Sequence, residues 1–317
     1  MIQKKIITVF GATGAQGGGV ARAILKDAGS EFTVRAVTRD TGSEKAKALA
    51  AMGAEVVSGD IDDQASIEHV LEGAYGAFFV TFYWAHMNPE KEIAQVKNMA
   101  NAAKKTGLKH AIWSTLEDTR EFYPLSDDRM PTLLGKYKVP HFDSKGGSDH
   151  FFTDLGVPVT ILRTTFFWDN FLYFGLGPKK GQDGKLAITF PMGDKKLPGI
   201  AAEDIGKAAY AIFKRASEFI GKTVGIAGGQ PTCQEMADGM AKKLGLEIHY
   251  NEISPEIYRG FGFPGAEDMG NMFQFYRDCN DYFTKSRDVE FTRKLDPSIK
   301  TFDMWLNENA AKLASTI

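Results

Sequence analysis

Short apolar, β-branched runs alternate with amphipathic stretches through the first half of the chain, the pattern of a parallel sheet wound on both faces by helices. Six strands are predicted, at Lys5–Phe10, Thr33–Thr38, Glu55–Ser58, Gly76–Val80, His110–Ser114 and Pro158–Arg163, with helices near 15–28, 44–52, 64–72, 88–106 and 143–155. The fourth helix opens on Asn88-Pro89-Glu90, where asparagine can cap, proline suits the first turn and glutamate meets the positive end of the helix; Gly107 marks its end. Between Leu116 and Pro140 the alternation fails. That stretch reads as a long loop leaving the carboxyl end of a central strand, where ligands of open α/β sheets bind, and it is the segment expected to order when a ligand arrives.

Beyond Arg163 the order is irregular. An aromatic stretch leads to a turn at Gly181-Gln182-Asp183-Gly184, a strand at Leu186–Phe190 and a helix from Ala201. Strands at Thr223–Ala227 and Ile248–Ile253 and helices at 232–244, 255–261, 265–277 and 300–313 follow. The expected organisation is an α/β domain over 1–163, doubly wound on a parallel sheet, and a smaller α+β lobe over most of 164–317, with some late segments returning to the main sheet.

The first strand runs directly into Gly11-Ala12-Thr13-Gly14-Ala15-Gln16-Gly17-Gly18-Gly19 and then into the helical stretch Val20–Leu25. Strand, glycine turn and helix in that order make a phosphate cradle. Gly11 permits the turn, Gly14 lets backbone approach a pyrophosphate, and Gly17 allows close packing of helix on sheet beneath the free amides of the helix N-terminus.

With 317 residues and 43% apolar content the chain can bury a large core. A net charge of −2 argues against a surface built to grip nucleic acid, and duplex binding is not expected. Cys233 and Cys279 form no CxxC pair and read as buried or incidental thiols of a reducing compartment. No long apolar span or leader is visible, so a cytoplasmic protein without membrane attachment is expected. The six histidines show no metal-ligand spacing, and no metal is expected.

The second strand ends in Thr38-Arg39, where an NAD-preferring site places an acid against the ribose 2′-hydroxyl. A planar guanidinium there suits a 2′-phosphate and favours NADP(H). Asp40 offers the opposite reading, a carboxylate at the ribose, and a solvated strand-end Arg39 is the plain one. After the third strand, Gly59-Asp60-Ile61-Asp62-Asp63 can meet an adenine ring or cap the next helix. Thr81-Phe82-Tyr83, after the fourth, lies where the nicotinamide ribose would pass, or packs. The aromatics of Phe166–Phe174 either line an apolar cleft over the nicotinamide or, the commoner role of dense aromatics, form core, with Asn170 as an amide that a ribose or carboxamide would satisfy. Asp204 and Asp268 read as solvated or capping acids.

These residues together resemble the NmrA-like family of atypical short-chain dehydrogenase/reductases. The resemblance rests on Gly11–Gly18, Val37-Thr38-Arg39, Gly53–Val57, Gly59-Asp60, Asp62-Asp63, His141-Phe142-Asp143-Ser144-Lys145-Gly146, Gly156-Val157-Pro158, Asp169-Asn170, Gly262–Ala266 and Trp305-Leu306. It implies a Rossmann-type domain, NADP(H) binding, and a redox sensor or co-regulator that contacts other proteins and has little or no dehydrogenase activity. A homodimer and a nuclear as well as cytoplasmic location are compatible with it. By motif it implies cofactor contacts at Gly11, Thr13, Gly14, Ala15, Gln16, Gly17, Thr38, Arg39, Asp60, Ile61, Thr81, Phe82, Tyr83, Lys145, Phe167 and Asn170. The chain departs from the family in reading Asp40-Thr41-Gly42-Ser43-Glu44 where further basic residues are usual, which weakens the expected grip on a 2′-phosphate.

The reductase alternative, acting on a small aromatic, quinone or enone, needs a proton donor. Short-chain reductases use the phenol of Tyr-x-x-x-Lys, and here His141 stands four residues before Lys145. Pro140 favours His141 as a helix-start cap or loop contact, although an imidazolium can donate a proton. Lys145 can hold ribose hydroxyls, and related isoflavone-reductase-like enzymes use a lysine in this region for proton transfer. Ser114 stands where a reductase serine orients a carbonyl, or satisfies a strand-end amide.

Overall fold

The computed structural model describes residues 4–181 and 183–317. In chain order the elements are β1 (Lys5–Val9), α1 (Ala15–Lys26), β2 (Phe32–Thr38), α2 (Glu44–Ala51), β3 (Glu55–Ser58), α3 (Gln64–Leu71), β4 (Gly76–Phe79), α4 (Pro89–Thr106), β5 (His110–Thr115), α5 (Pro140–Gly146), α6 (His150–Asp154) and β6 (Val159–Arg163). After these come β7 (Phe166–Phe167), α7 (Asn170–Tyr173), β8 (Lys179–Lys180), β9 (Leu186–Phe190), β10 (Gly199–Ile200), α8 (Ala202–Lys214), α9 (Ala216–Phe219) and β11 (Thr223–Gly225). The chain ends with α10 (Cys233–Leu244), β12 (Ile248–Glu252), α11 (Pro255–Arg259), α12 (Ala266–Asp278), α13 (Asn280–Lys285), α14 (Val289–Leu295) and α15 (Phe302–Ala314).

The chain divides into two compact units. The first comprises residues 1–118, 143–164 and 202–224; the second comprises 119–142, 165–201 and 225–317. Segment 119–142 therefore groups with the second unit rather than with the first domain to which the sequence assigns it, and 202–224 is the late segment that returns.

The central sheet has seven strands in the order β11-β6-β5-β4-β1-β2-β3, and it is parallel, the α/β fold expected. Strand order reverses between β1 and β4, so the crevice at the carboxyl end of β1 is the natural ligand position. One face of the sheet buries Phe10, Val37, Phe79 and Trp113 against Ile67, Val70, Val96, Met99, Ala103 and Phe152 from α3, α4 and α6. At the other helix pair, α1 and α8, a Cβ on Gly206 would lie 2.0 Å from the Gly19 carbonyl carbon, a contact that only glycine permits.

In the second unit β9 pairs antiparallel with β8 and parallel with β12, while β7 pairs with β10. Its core is aromatic: Phe166, Trp168, Phe171, Phe190, Phe273, Phe302 and Trp305 are buried and stack edge-on or tilted. Tyr173 and Phe174, the end of the aromatic stretch read as core, are exposed.

Three expectations need correction. The helix expected over 143–155 is two helices. Pro140 starts α5 earlier, and at Gly146, where the helix ends, a Cβ would sit 2.2 Å from the Asp118 amide nitrogen. The strand expected at Thr223–Ala227 stops at Gly225, where a Cβ would meet the Ser286 carbonyl at 1.9 Å. Asp204 is fully buried and pairs with Lys207 at 2.7 Å, so it is not a solvated acid. In the turn at 181–184, Gln182 lies outside the described residues; Gly184 closes on Gly181 with a φ of +78°.

Candidate functional site

The cradle is built from backbone. Gly11 takes a φ of +61°, Gly14 N donates to Gly11 O at 2.8 Å, and α1 starts at Ala15. A Cβ on Gly17 would be 2.4 Å from Phe10 O and 2.5 Å from Gly11 O, so the helix seats directly on the turn. No side chain caps α1 and no acid stands in its first turn. Gly11, Gly14 and Ala15 are exposed, while Thr13 and Gln16 are half-buried. This is an N-terminus whose exposed amides and dipole suit an anion.

At the end of β2, Arg39 is exposed and Thr38 half-buried. Asp40 is committed to the turn. Its Oδ1 accepts from Gly42 N at 2.9 Å, its carbonyl accepts from Ser43 Oγ at 3.0 Å, and Ser43 caps α2. After β3 the three acids have different partners: Asp60 Oδ1 accepts from Asp62 N at 2.9 Å. Asp63 caps α3 through Ala65 N, and Asp62 pairs with Lys91 at 2.9 Å and accepts from Gln95 at 2.7 Å, contacts that hold it below the usual carboxylate range. Asp60 remains exposed and Ile61 half-buried.

After β4, Thr81 and Tyr83 are buried and Phe82 is 58% exposed. Thr81 belongs to a buried cluster with Lys145 and Ser144 of α5 and Glu92 of α4. The Lys145 ammonium pairs with Glu92 Oε1 at 2.8 Å and donates to the Thr81 hydroxyl; Thr81 in turn donates to Glu92 Oε1 at 2.6 Å, and Ser144 donates to Glu92 Oε2. Glu92 went unread in the sequence. Its signal was there, since it shares one helical face with Val96, Met99, Ala100 and Ala103, where an acid is out of place unless paired.

Ser114 donates to Oε1 of Gln16, in the first turn of α1, at 2.6 Å. One residue before it, Trp113 donates its indole N–H to Asp149 at 2.9 Å, and its ring faces the Lys145 ammonium at 5.5 Å. Desolvation pushes Asp149 up to about 7, partly offset by Thr115, Arg163 and the indole.

His141 and Asp268 lie in the second unit. His141 Nδ1 meets Asp268 Oδ1 at 2.6 Å, and the His141 amide donates to Asp268 Oδ2 at 3.2 Å. Both are buried, so Asp268 is not a solvated acid but the partner of a histidine 127 positions upstream. Also in this unit, Phe167 is half-buried in β7 and Asn170 half-buried at the start of α7. Cys233 and Cys279 are free, and burial pushes both thiols up. Among the described residues no group of three or more metal-ligating side chains occurs, and no helix is long and apolar enough to cross a membrane.

The sequence profile of the NmrA-like family matches residues 3–306. Among curated relatives, the NmrA-like family domain-containing oxidoreductase FrzB of Cladobotryum sp. is 28% identical over 289 residues, covering 85% of this chain and 83% of the relative. Among solved structures, NmrA, a negative transcriptional regulator, superposes with a TM-score of 0.80 in its NAD complex at 22% identity, over 99% of this chain and 98% of that one, and is also solved with NADP. Triphenylmethane reductase of Citrobacter sp., complexed with NADP(H), superposes with a TM-score of 0.71 at 20% identity, over 99% of this chain and all of that one.

Proposed function

The chain belongs to the NmrA-like family, and on that premise we propose that it binds NADP(H) over the β1–α1 turn and serves as a cofactor-reading regulator with little or no dehydrogenase turnover. The residues present fit the group. The bare cradle at Gly11–Gly17 takes the pyrophosphate, Arg39 the 2′-phosphate, Asp60 and Ile61 the adenine side, and Thr81, Phe82 and Lys145 the nicotinamide ribose. Bound NADPH would supply a hydride.

One observation carries the regulatory half of this reading: Lys145 is paired with a fully buried carboxylate and donates to the Thr81 hydroxyl, on a helix, Pro140–Gly146, that contains no phenol. An ammonium engaged by a carboxylate and a hydroxyl can still grip ribose hydroxyls, while the helix that carries it offers no phenol to donate a proton. Cofactor binding can then shift a conformational equilibrium by its differential affinity for the two states. Titrating purified protein with NADPH, NADP+ and NADH tests the binding half, with NADP(H) expected to bind more tightly than NADH. Limited proteolysis with and without NADPH tests the regulatory half; identical cutting in both samples defeats it.

The reductase reading is favoured by a different observation. A histidine whose Nδ1 is held by a carboxylate at 2.6 Å has the arrangement used to stabilise an imidazolium during proton transfer. NADPH oxidation driven by a quinone or enone and abolished in His141→Gln and Asp268→Asn would make this the function.

A further inference from the structure

Burying an ammonium is costly unless a carboxylate accompanies it, and burying a carboxylate is costly unless its lone pairs are met. Both conditions hold around Lys145. Glu92 is fully buried, and its two oxygens are met by three donors: the Lys145 ammonium and the Thr81 hydroxyl at Oε1, and the Ser144 hydroxyl at Oε2. The Trp113 ring faces the same ammonium at 5.5 Å. Of the contacts made by Lys145, that to the Thr81 carbonyl, at 3.4 Å, is longer than a good N–H···O bond, which leaves one proton to exchange for a better acceptor.

Resting on the reading that Lys145 holds the nicotinamide ribose, we infer that Glu92 is a positioning residue: as the carboxylate partner of the Lys145 ammonium and of the Thr81 hydroxyl it fixes two of the lysine's N–H bonds, so that the third meets a ribose hydroxyl. Neither the sequence motif nor the spacing of α5 points to this residue, because the pairing joins α4 to α5 across 53 positions of chain. The other ionisable groups on the helix of Lys145 are His141, which is engaged by Asp268, and Asp143; across the Trp113 indole are Asp149 with Glu117 and Arg163.

The test is the full-length protein carrying Glu92→Gln, titrated with NADPH by fluorescence at pH 7 to 9.5, with Lys145→Met and the double variant alongside. Wild type should bind with little pH dependence. Glu92→Gln should bind about tenfold more weakly at pH 7, the scale of one charge-assisted hydrogen bond, and lose further affinity as pH rises, because a buried ammonium without its carboxylate gives up its proton earlier. Lys145→Met should bind weakly and without that alkaline fall, and the double variant should match it. A folded Glu92→Gln with wild-type affinity and a flat profile overturns the inference.

The Lys145 side-chain 13C titration in the nucleotide-free protein is the second readout: it should move to lower pH in Glu92→Gln, and an unmoved curve overturns the role of Glu92. If wild type itself binds no NADPH, the reading of Lys145 as a cofactor ligand fails, while this titration still decides whether Glu92 holds its charge. Should Glu92→Gln not fold, Glu92→Asp, which keeps the charge and draws the carboxylate back from the ammonium, should weaken NADPH binding severalfold at pH 7, and wild-type affinity in that variant overturns the proposal.

Discussion

The turn after β1 and the segment Thr119–Phe142 are both irregular backbone, and they are held by different means. The turn is held by what its residues lack. Gly17 approaches Phe10 O and Gly11 O more closely than any Cβ allows, and the bonds that close the turn run between residues three or four apart. The segment is held by long side chains from far away. Asn271 of α12 donates to Pro131 O at 2.9 Å and Lys138 O at 2.6 Å, Gln274 donates to Arg129 O at 2.7 Å, and the buried Lys138 ammonium donates to Asp127 O and Met130 O at 2.7 Å each. A segment expected to order only on ligand arrival thus has fixed partners of its own. Backbone-built sites leave their amides available to a ligand; side-chain-built ones use their polar groups internally.

The largest effect should come from adding one carbon to the turn. Gly17→Ala puts a Cβ against two main-chain oxygens that cannot move aside without shifting β1 or α1, and should cost about 3 kcal/mol of stability together with NADPH binding. Gly14→Ala is the sharper control. Its Cβ would meet only Gly11 O, at 3.1 Å, on an extended residue, so it should leave the melting temperature nearly unchanged while weakening nucleotide binding. Equal thermal losses in the two variants would break the distinction between a packing glycine and a ligand-approach glycine.

The next effect belongs to the segment. Asn271→Ala leaves the buried Lys138 carbonyl and the Pro131 carbonyl without their donor and should cost about 2 kcal/mol, read by denaturant unfolding, with new proteolytic cuts confined to 119–142. Wild-type resistance to cutting would mean that the segment is held by its turns alone.

This contrast also explains what could be read from the chain. The predicted boundaries of β1 to β6 match within a residue or two, and the cradle was legible in full, because both are written in local patterns: period-two apolar runs, glycines at fixed offsets, an Asn-Pro-Glu helix start. The segment's hold was not legible, since Asn271 and Gln274 lie more than 130 positions downstream of the carbonyls they meet, and the solvated reading of Asp268 failed for the same reason. Glu92 is intermediate: periodicity exposed it as an acid on an apolar face, but only the fold supplies Lys145. Two-residue strands such as β7 and β10 carry no pattern at all.

A third region, around Asp149, uses side chains as the segment does but places a carboxyl group beside an indole. Asp149 titrates near 7 in the folded protein against about 3.8 ordinarily, because burial disfavours its charged form. Between those values the folded state holds a proton that the unfolded state has released, so stability falls as pH rises through the window. Asp149 is half-buried, which reduces the effect to about 1 kcal/mol between pH 5 and 7. Asp149→Asn keeps an acceptor for the Trp113 indole and removes the titration, so unfolding curves at pH 5, 6, 7 and 8 should diverge from wild type in that direction. Parallel curves would show that Arg163 and Thr115 compensate the buried carboxylate fully.

The smallest effect on the fold, and the most specific on binding, should come from Arg39. It is exposed and makes no ion pair among the described residues, whereas Asp40 already serves Gly42 and Ser43. Removing Arg39 should therefore cost no stability and lower the preference for NADPH over NADH about tenfold, the loss of one charge-assisted contact to phosphate. Removing Asp40 should do the reverse, loosening the start of α2 by about 1 kcal/mol with the nucleotide ratio unchanged. Competitive titrations on Arg39→Ala and Asp40→Ala separate the two. If the ratio moves with Asp40 instead, the carboxylate reaches the ribose despite its turn bonds, and the discriminating group lies in the side-chain-built turn rather than on the open strand end.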